Sequence, residues 1–465
     1  MSKVIRKPTD YKLETLTLYA PGVTNPVDLI GNMVELNYYE DIFNNTISGN
    51  VVVNDSVGLI NFSALNGTEY IHLRLKKSDS TSVNNQLPFI DRYFRIVAIS
   101  DRRFDLANNN ENYKIEFCSE EYILSEQYRI SKAYKNAKIS DIVSDICKTY
   151  LKLGSGDTKN IFIDDTTGVY DFVLPNKKIF ETLNWLANYA IPSNYPNGAD
   201  ILFFENRIGY FFNSLQHLFS TDPVINFAYN PKNITDDMLY NMTNILTFEV
   251  IKYVDTLHAM NNGTFANRLI SIDPIKRQKI NTDFNYNEYF PKSKSLNIGT
   301  LINGFKNRLG KELYEPPPDD LQAGTLRMVV SNDTKPKVDS PTLGTLPTDF
   351  TLEKSLPYRV AQLNLAEHTK LKITVPGYSG LYAGMCVNIT ILSTQQLNTK
   401  TSRPLDPYLS GKYLVTAVRH IVSPSSYICI AEVCKDSGIL PYSGVNNEDQ
   451  SWKKLVNGIQ NNQNK

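Results

Sequence analysis

The segments RYFRIVAISDRRF (92–104) and NYKIEFCSEEY (112–122) alternate apolar and polar residues, and β-branched and aromatic side chains fill most of the apolar positions. This period of two predicts two half-buried strands, and the Asn-rich stretch between them predicts a turn. Four earlier segments have the same character: YKLETLTLY (11–19), MVELNYYEDIF (33–43), TISGNVVVND (46–55) and YIHLRLKK (70–77). Residues 1–122 are therefore predicted to form a first antiparallel β-barrel or sandwich.

A similar hairpin pattern returns near the other end of the chain. GKYLVTAVRHIV (411–422) and SYICIAEVCKD (426–436) can be laid on the first pair of segments. The aligned pairs are Phe94 with Tyr413, Ile96 with Val415, Ala98 with Ala417, Ile99 with Val418, Glu116 with Glu432, Phe117 with Val433 and Cys118 with Cys434. Either one domain is duplicated within the chain, or two ordinary amphipathic hairpins align by chance, since such patterns are common.

The central part of the chain contains segments with helical spacing of apolar residues as well as strand patterns. KISDIVSDICKTYLKL (138–153) and NKKIFETLNWLANYAI (176–191) carry apolar residues at helical spacing, the first behind Ser140 as a candidate cap. ILFFENRIGYFF (201–212) is typical of a hairpin that turns at Glu205 and Asn206. Residues 123–237 are therefore predicted to be an inserted α+β domain.

The β pattern resumes at 238–258, and strand signals return from YRVAQLNLAEHTKLKITVPG to SYICIAEVCKD (358–436). Residues 238–262 joined with 356–436 are predicted to form a second β-barrel. Residues 263–355 contain EPPPDDLQAG (315–324) and are predicted to be a Pro-rich insertion or linker, because repeated Pro interrupts helix and sheet. The predicted fold class is mainly β with an inserted α+β unit and two similar antiparallel β-barrels.

Residues 437–465 form a polar C-terminal tail with one apolar stripe. Trp452, Leu455, Val456 and Ile459 have i, i+3, i+4 and i+7 spacing, and Ser451 can cap a short helix. A helix of this length is not stable alone, so the stripe needs a surface to pack on. These four residues are the candidate interface of the chain.

Composition excludes several classes of function. Of the 465 residues, 48 are Lys or Arg and 48 are Asp or Glu, so no overall charge attracts nucleic acid or an anionic membrane. No apolar run approaches the roughly 18–20 residues of a membrane helix, and the first residues lack the apolar core of a signal peptide. The five cysteines form no CxxC pair and are expected to be reduced and buried. We therefore expect no membrane insertion and synthesis in the cytoplasm.

Sequence motifs of catalysis are absent. The chain has no GxSxG, no HExxH, no Gly-rich phosphate loop and no Cys or His pairs at metal-ligand spacing. The dipeptides Asp164-Asp165 and Asp319-Asp320 fit solvated turns better than metal sites, and Glu120-Glu121 fits the charged end of a strand. No catalytic residue, cofactor, cofactor-binding residue or metal ligand is predicted.

Several segments resemble the baseplate hub proteins of contractile-tailed bacteriophages of the T-even type and, more remotely, the hub part of type VI secretion spike proteins. They are YRISKAYKNAKISDIVSDICKTYL (128–151), DFVLPNKKIFETLNWLANYAI (171–191), NGTFANRLISIDPIKR (262–277), LKITVPGYSGLYAGMCVNI (371–389) and DPYLSGKYLVTAVRHIV (406–422). Gly377, Gly380 and Gly384 in this set permit a tight connection between barrel strands, and Gly411 permits a bend. The segments occur in the order of the family. Residues 280–355 carry no motif that matches the family, and the tail 437–465 is not assigned to any part of it.

The resemblance implies a structural hub. Such a protein forms a homotrimer whose two tube domains per chain make six similar barrels, so it joins a six-fold tail tube to a three-fold spike. The implied partners are the tail tube protein or tube-initiator ring, the central spike protein, other baseplate proteins and the tape measure protein. DNA would only pass through the lumen. The implied location is the tail baseplate of the virion, after assembly in the host cytoplasm.

Two alternatives belong to other classes of function. The carboxylates of the α+β unit suggest a virion-associated cell-wall hydrolase, and the 28 tyrosines suggest a glycan-binding tail module. Clearing of a cell-wall suspension or binding to glycans by the purified chain would distinguish these from a hub.

Overall fold

The structure is a computed structural model. It describes residues 9, 11–20, 26–60, 65, 67–76, 89–105, 110–154, 159–195, 198, 200–229, 241–253, 255–273, 277–297, 325–330, 352–393 and 405–439. In chain order the strands are β1 (Lys12–Tyr19), β2 (Val27–Asp28), β3 (Met33–Asp41), β4 (Ser48–Asp55), β5 (Tyr70–Lys76), β6 (Phe89–Asp105), β7 (Asn110–Cys118), β8 (Arg129–Ile130), β9 (Ala133–Ala137), β10 (Asn160–Ile163), β11 (Tyr170–Val173), β12 (Lys177–Lys178), β13 (Ile201–Glu205), β14 (Gly209–Ser214), β15 (Ile225–Tyr229), β16 (Thr247–Lys252), β17 (Ala266–Asp273), β18 (Gln278–Asn285), β19 (Thr325–Val330), β20 (Thr369–Pro376), β21 (Cys386–Ile391), β22 (Gly411–Ser423) and β23 (Ser426–Lys435).

The helices are fewer and shorter than the strands. They are α1 (Glu120–Gln127), α2 (Ile139–Thr149), α3 (Ile179–Ala187), α4 (Leu215–Ser220), α5 (Thr256–Asn261), α6 (Tyr286–Tyr289) and α7 (Leu352–Ala366), with 3-10 turns at Ile30–Asn32 and Phe290–Lys292. Among the described residues no helix is long and apolar enough to cross a membrane. The predicted fold class, mainly β with an inserted α+β unit, is confirmed.

One large sheet contains strands from both ends of the chain. The described residues place 13 strands in it, in the order β16-β20-β23-β22-β3-β4-β7-β6-β5-β1-β2, and β22 also pairs with β21, which pairs with β15. Alternation along these strands buries one face, and the buried residues of both halves form a single hydrophobic core. The two halves are joined where β3 pairs with β22.

The two halves of this sheet have the same strand order. The first is β3-β4-β7-β6-β5-β1, and the second is β16-β20-β23-β22-β21-β15. The hairpins also match in register, because Ile96 faces Phe117 and Val415 faces Val433, with a bulge directly after Ile96 and directly after Val415. The last strands differ, since β1 is antiparallel to β5 whereas β15 is parallel to β21.

The predicted α+β unit has its own core. Helices α2 and α3 bury one apolar face each against β11, β13 and β14, and the side chains of this second core run from Ile130 to Phe212. The hairpin predicted at 201–212 is β13 and β14. Two local predictions were wrong: Ser140 lies inside α2, whose N-cap is Lys138, and β15, within the predicted 123–237, pairs with β21 of the large sheet.

Residues 263–355 contain more structure than a linker. β17 lies between β18 and β19 in a three-stranded sheet, and α7 packs on it. The strand signal predicted from Tyr358 was also wrong at its start, because Tyr358 lies in α7 and the strand begins at Thr369. Helix α7 carries good helix formers such as Leu, Ala and Gln. Phe284 and Tyr289 pack on its apolar side chains. Short-range alternation did not reveal this tertiary contact.

Candidate functional site: the junction of the two halves

The junction between the halves is a run of antiparallel pairs. Residues 36–41 of β3 lie opposite residues 417–422 of β22. At its centre the rings of Tyr38 and His420 are 5.5 Å apart in an edge-on arrangement. On the polar face, Arg419 Nε donates to Asn37 Oδ1 at 2.9 Å. Ladder, aromatic and polar contacts thus hold the halves in one register.

A single carboxylate fixes three parts of the chain at this junction. Glu40 on β3 is buried and accepts hydrogen bonds from Tyr38 Oη at 2.7 Å, Arg207 N at 2.8 Å and Ala383 N at 2.9 Å. Arg207 belongs to the β13–β14 turn of the α+β unit, and Ala383 precedes β21. Burial raises the pKa of Glu40 to about 7, while the hydrogen bonds from Ala383 N and Tyr38 Oη oppose this rise.

The β13–β14 turn contacts both halves, through Glu40 on β3 and Ala383 before β21. Asn206 Nδ2 donates to Ala383 O at 2.9 Å, and its Oδ1 accepts from Ile208 N at 2.9 Å, so one side chain shapes the turn and docks it. Gly384 has a φ of +91°, and an added Cβ would lie 3.1 Å from the Phe204 ring. This is the connection where glycine was expected to permit tight backbone, and both the φ and the close approach require it.

A second buried cluster attaches the α+β unit to the first half. Lys159 Nζ lies 2.6 Å from Glu121 Oε2 and 2.6 Å from Glu205 Oε1. Glu205 Oε2 also accepts from Ile47 N at 3.0 Å and from Ser119 Oγ at 2.5 Å. Burial disfavours the charge on Lys159, but the two carboxylates outweigh burial and raise the pKa of its ammonium group. Burial raises the pKa of Glu121.

The prediction that Glu120-Glu121 is the charged end of a strand was wrong. The strand ends at Cys118, and both residues begin α1, which turns Glu121 inward. Glu120 stays partly exposed and bonds Tyr70 Oη at 2.9 Å. The inward carboxylate is neutralised by Lys159 and enclosed, so it has the chemistry of a structural ion pair.

The aspartates at 164–165 serve as local anchors. Asp164 Oδ1 lies 2.5 Å from His217 Nδ1, and Oδ2 accepts from Ser214 N at 2.9 Å. Its hydrogen bond raises the pKa of His217. Asp165 pairs with Lys138 Nζ at 3.0 Å, which lowers the pKa of Asp165. Among the described residues no group of three or more His, Cys, Asp or Glu could hold a metal ion.

The remaining sequence candidates divide into buried and undescribed residues. The five cysteines are all buried, and none of them forms a disulfide, as predicted. His368 and His420 are buried, and burial lowers their pKa values to about 4 and about 3. The candidate interface residues Trp452, Leu455, Val456 and Ile459 lie outside the described residues, as do Asp319 and Asp320.

Sequence reasoning did not find Glu40, Arg207 or Lys159. Glu40 and Arg207 lie in segments whose strand or hairpin was predicted, but Arg207 and Ala383 are each more than 100 positions from Glu40 in the chain. The one available signal was the placement of Glu40 within the apolar alternation of MVELNYYEDIF. A charged residue there predicts an inward partner without identifying it.

Comparison with known proteins agrees with the motif resemblance. No family model matches the chain. The sequence is similar to the probable baseplate hub protein gp334 of Vibrio phage KVP40, at 21% identity over 436 residues, covering 91% of this chain and 94% of that protein. The resemblance to phage baseplate hub proteins that the motifs indicate is confirmed by this similarity along nearly the whole chain.

Two solved structures match most of the chain at low sequence identity. The 43 kDa tail protein of prophage MuSo2 from Shewanella oneidensis has a TM-score of 0.50 at 9% identity, covering 91% of this chain and 99% of that one. A tail protein from Neisseria meningitidis MC58 has a TM-score of 0.49 at 10% identity, covering 91% and 96%. The fold of this chain therefore also occurs in the MuSo2 tail protein.

Proposed function

We propose that this chain is the structural baseplate hub of a contractile phage tail. In this proposal three copies join the six-fold tail tube to the three-fold central spike and line the channel through which the genome passes. The observation that carries it is the repeated strand order within one chain, with the same hairpin register and bulge position in both halves. Three chains with two similar units each would present six units to the tube.

The domain assignment follows the same logic. Residues 1–122 form the first tube domain, and 238–262 with 356–436 form the second, extended by β15. The α+β unit lies outside the ring, and the described part of the insertion is attached to the second domain where Leu296 N donates to Asp436 and Asn297 Nδ2 donates to Lys412 O. Partners are the tail tube protein or initiator ring, the spike, other baseplate proteins and the tape measure protein, in the virion tail baseplate.

The hub role is mechanical rather than catalytic in this proposal. The junction of the halves uses a continuous strand ladder, and Glu40 adds the β13–β14 turn to it. Such packing transmits force with little deformation because the core is dense. The carboxylates Glu121 and Glu205, which a hydrolase would need in an open cleft, are buried and held by Lys159.

The test is the copy number and symmetry of the chain in the assembled baseplate. We expect electron microscopy of particles reconstituted with the tube and spike neighbours to give three copies related by a three-fold axis, and native mass measurement to give three times the monomer mass. Two or six copies per particle would contradict the proposal. Lytic activity of the purified chain on cell-wall suspensions would favour the hydrolase alternative.

A further inference from the structure

Four parts of the fold meet at one small cavity. Its volume is about 20 Å³, and its lining comes from the α+β unit, the described part of the insertion, helix α7 and the residue that follows β23. The lining includes six polar side chains: Asp200, Gln216, Tyr289, Ser293, Gln362 and Asp436. None of the residues of the Glu40 or Lys159 clusters lines this cavity, so it is a separate feature of the molecule.

Direct hydrogen bonds already join the parts of the chain around the cavity. Tyr289 Oη of the insertion accepts from Gln216 Nε2 of α4 at 2.9 Å and from Gln362 Nε2 of α7. Gln216 Oε1 accepts from Lys294 N at 3.1 Å. Two amide side chains from different elements thus converge on one phenol and fix the walls of the cavity.

Asp200 is the exception in this network. It is 1% exposed, and neither of its carboxylate oxygens has a hydrogen-bond partner of ordinary geometry among the described residues. Burial raises the pKa of Asp200 to about 7, and its own N–H, the charge of Arg359 and the N–H of Gln216 oppose this rise only in part. Arg359 Nη1 itself donates to Ala187 O at 3.3 Å and to Ile201 O at 3.0 Å. Because a buried carboxylate without a donor is costly, a donor is expected beside it.

The charges around the cavity favour a neutral ligand over a metal ion. Burial also raises the pKa of Asp436 to about 6, while the charge of Lys412 opposes the rise. Arg359 and Lys412 therefore already attract the two carboxylates, and the exposed Lys294 lines the cavity as well. No other acidic residue of the described chain lines it. A bound cation would add positive charge that the lining does not balance.

The size and polarity of the cavity fit one water molecule. A water needs roughly 10–15 Å³ of space and two to four polar partners. Asp200 and Asp436 supply acceptors, and the hydroxyl of Tyr289, which accepts from two amides, can donate its own proton. Ser293 is only partly buried and Lys294 is exposed, so this side of the cavity provides an entry path from solvent.

We infer that one ordered water molecule occupies this cavity, donates to Asp200 and Asp436 and accepts from the Tyr289 hydroxyl. The water supplies the donor that the protein does not provide for Asp200. It also links the α+β unit, the insertion and the second half of the sheet through one shared ligand. This site goes beyond the proposed hub function and does not rest on it.

The test is a structure of the full-length chain at a resolution that shows ordered water. We expect density in the wild-type chain about 2.5–3.0 Å from both the Asp200 carboxylate and Tyr289 Oη. Asp200→Asn keeps the size of the side chain and one acceptor, and should keep the water. Asp200→Leu is similar in size but apolar, and should reduce the occupancy of the water about tenfold or more. A dry cavity in the wild-type chain, or equal occupancy in Asp200→Leu, overturns the inference.

A titration with Tb³⁺ alone distinguishes a cation from water. Tb³⁺ that binds close to a tyrosine emits when the ring is excited, and Tyr289 lines the cavity. The matched control is Asp283→Asn, which removes an exposed aspartate of the insertion. Equal emission from the wild-type chain, Asp200→Asn and Asp283→Asn supports water. Emission that Asp200→Asn abolishes and Asp283→Asn retains would place a cation in the cavity and overturn the inference. The hub proposal is tested separately by copy number and is unaffected by either result.

Discussion

Glu40 satisfies three hydrogen-bond donors that come from three separate parts of the fold. Two are backbone N–H groups, on Arg207 and Ala383, and the third is the buried phenol of Tyr38. A buried donor that loses its acceptor costs about 1–3 kcal/mol. The junction therefore depends on this carboxylate more than on any exposed ion pair of the same strand.

We expect Glu40→Ala to lower the free energy of unfolding by about 3 kcal/mol or more, because all three donors lose their acceptor. Urea unfolding of the purified chain measures the loss. The matched control is Glu35→Ala on the same strand, whose side chain is 41% exposed and should cost less than about 1 kcal/mol. Equal losses for the two variants would contradict the role assigned to Glu40.

His420 gives the junction a pH dependence with a definite sign. Burial lowers its folded-state pKa to about 3, below the ordinary value near 6.5 in an unfolded chain. The unfolded state therefore binds the proton more readily. The stability contributed by the neutral ring is complete above about pH 6.5 and is lost as the pH falls toward 3.

We expect His420→Gln to weaken this acid sensitivity by up to about 1.4 kcal/mol per pH unit between pH 4 and 6. The measurement is the unfolding free energy of both proteins across that range. The difference between them isolates His420, since the raised pKa values of Glu40, Asp200 and Asp436 act in the opposite direction in both proteins. Parallel curves would refute the assignment.

For single residues, the sequence predicted the chemical character of a position better than the residues that it contacts. Buried thiols and the glycine at 384 follow from local chemistry, and the structure agrees with both. The location of Glu121 was predicted wrongly because the strand ends at Cys118 and a helix begins at Glu120. The charged residues after Cys118 fit the end of a strand as well as the first turn of a helix. Which side of α1 faces inward depends on Lys159, 38 positions away.

Elements are attached to one another by buried polar clusters as well as by apolar packing. Lys159, just before β10, neutralises Glu121 at the start of α1 and Glu205 at the end of β13. The cluster fixes the α+β unit on the first half through Ile47 N and Ser119 Oγ. Breaking a buried pair by removing one partner leaves an uncompensated charge, which costs more than the pair is worth.

Lys159→Met should therefore destabilise the chain by about 3–5 kcal/mol at neutral pH, since two carboxylates remain buried without a cation. Acidification should recover part of this loss, because burial raises the pKa of Glu121 and its protonation removes one uncompensated charge. Lys138→Met is the control, as its pair with Asp165 is exposed and should contribute less than about 1 kcal/mol. Thermal unfolding at pH 5 and pH 8 checks both statements.

Strands and helices were predictable where the alternation or the helical spacing of apolar residues continues over many consecutive residues. The strands of both hairpins and the helices α2 and α3 follow from alternation and helical spacing. The segment from 358 was predicted to begin as a strand because Tyr, Val and Leu alternate there. In the structure it is helical, and the helix packs on β17 and β18. Residues 263–355 were predicted to be an insertion or linker because the prediction rested on the Pro-rich part of this segment. The strands β17, β18 and β19 on either side of that part were not predicted.

For the whole molecule, the pattern predicted two similar β units but not how they meet. Register between distant strands depends on pairs such as Tyr38 with His420, which no local window contains. In the sequence, Ile96 aligns with Val415, but only the structure shows that a bulge follows each of them. Once the structure is known, the matched strand order relates β3 to β16 and β22 to β6, a correspondence that no local stretch of sequence shows.

The tail supplies the last prediction at this scale. Trp452, Leu455, Val456 and Ile459 lie outside the described residues, and their helical spacing predicts an apolar stripe too short to fold alone. We propose that the stripe docks on the spike or on a neighbouring hub chain, since a buried Trp anchor can contribute about 2 kcal/mol or more to an interface. Packing on the chain's own barrel would use the same residues.

Trp452→Ala distinguishes these two uses. Docking between chains predicts fewer assembled hubs or weaker spike retention, with the melting temperature of the isolated chain almost unchanged. Ser451→Ala is a milder companion that weakens the predicted helix start by about 1 kcal/mol and keeps the stripe. A marked drop in the melting temperature of the isolated Trp452→Ala chain, or normal assembly by it, would contradict docking, because the stripe would then be part of the folded chain or without a role in assembly.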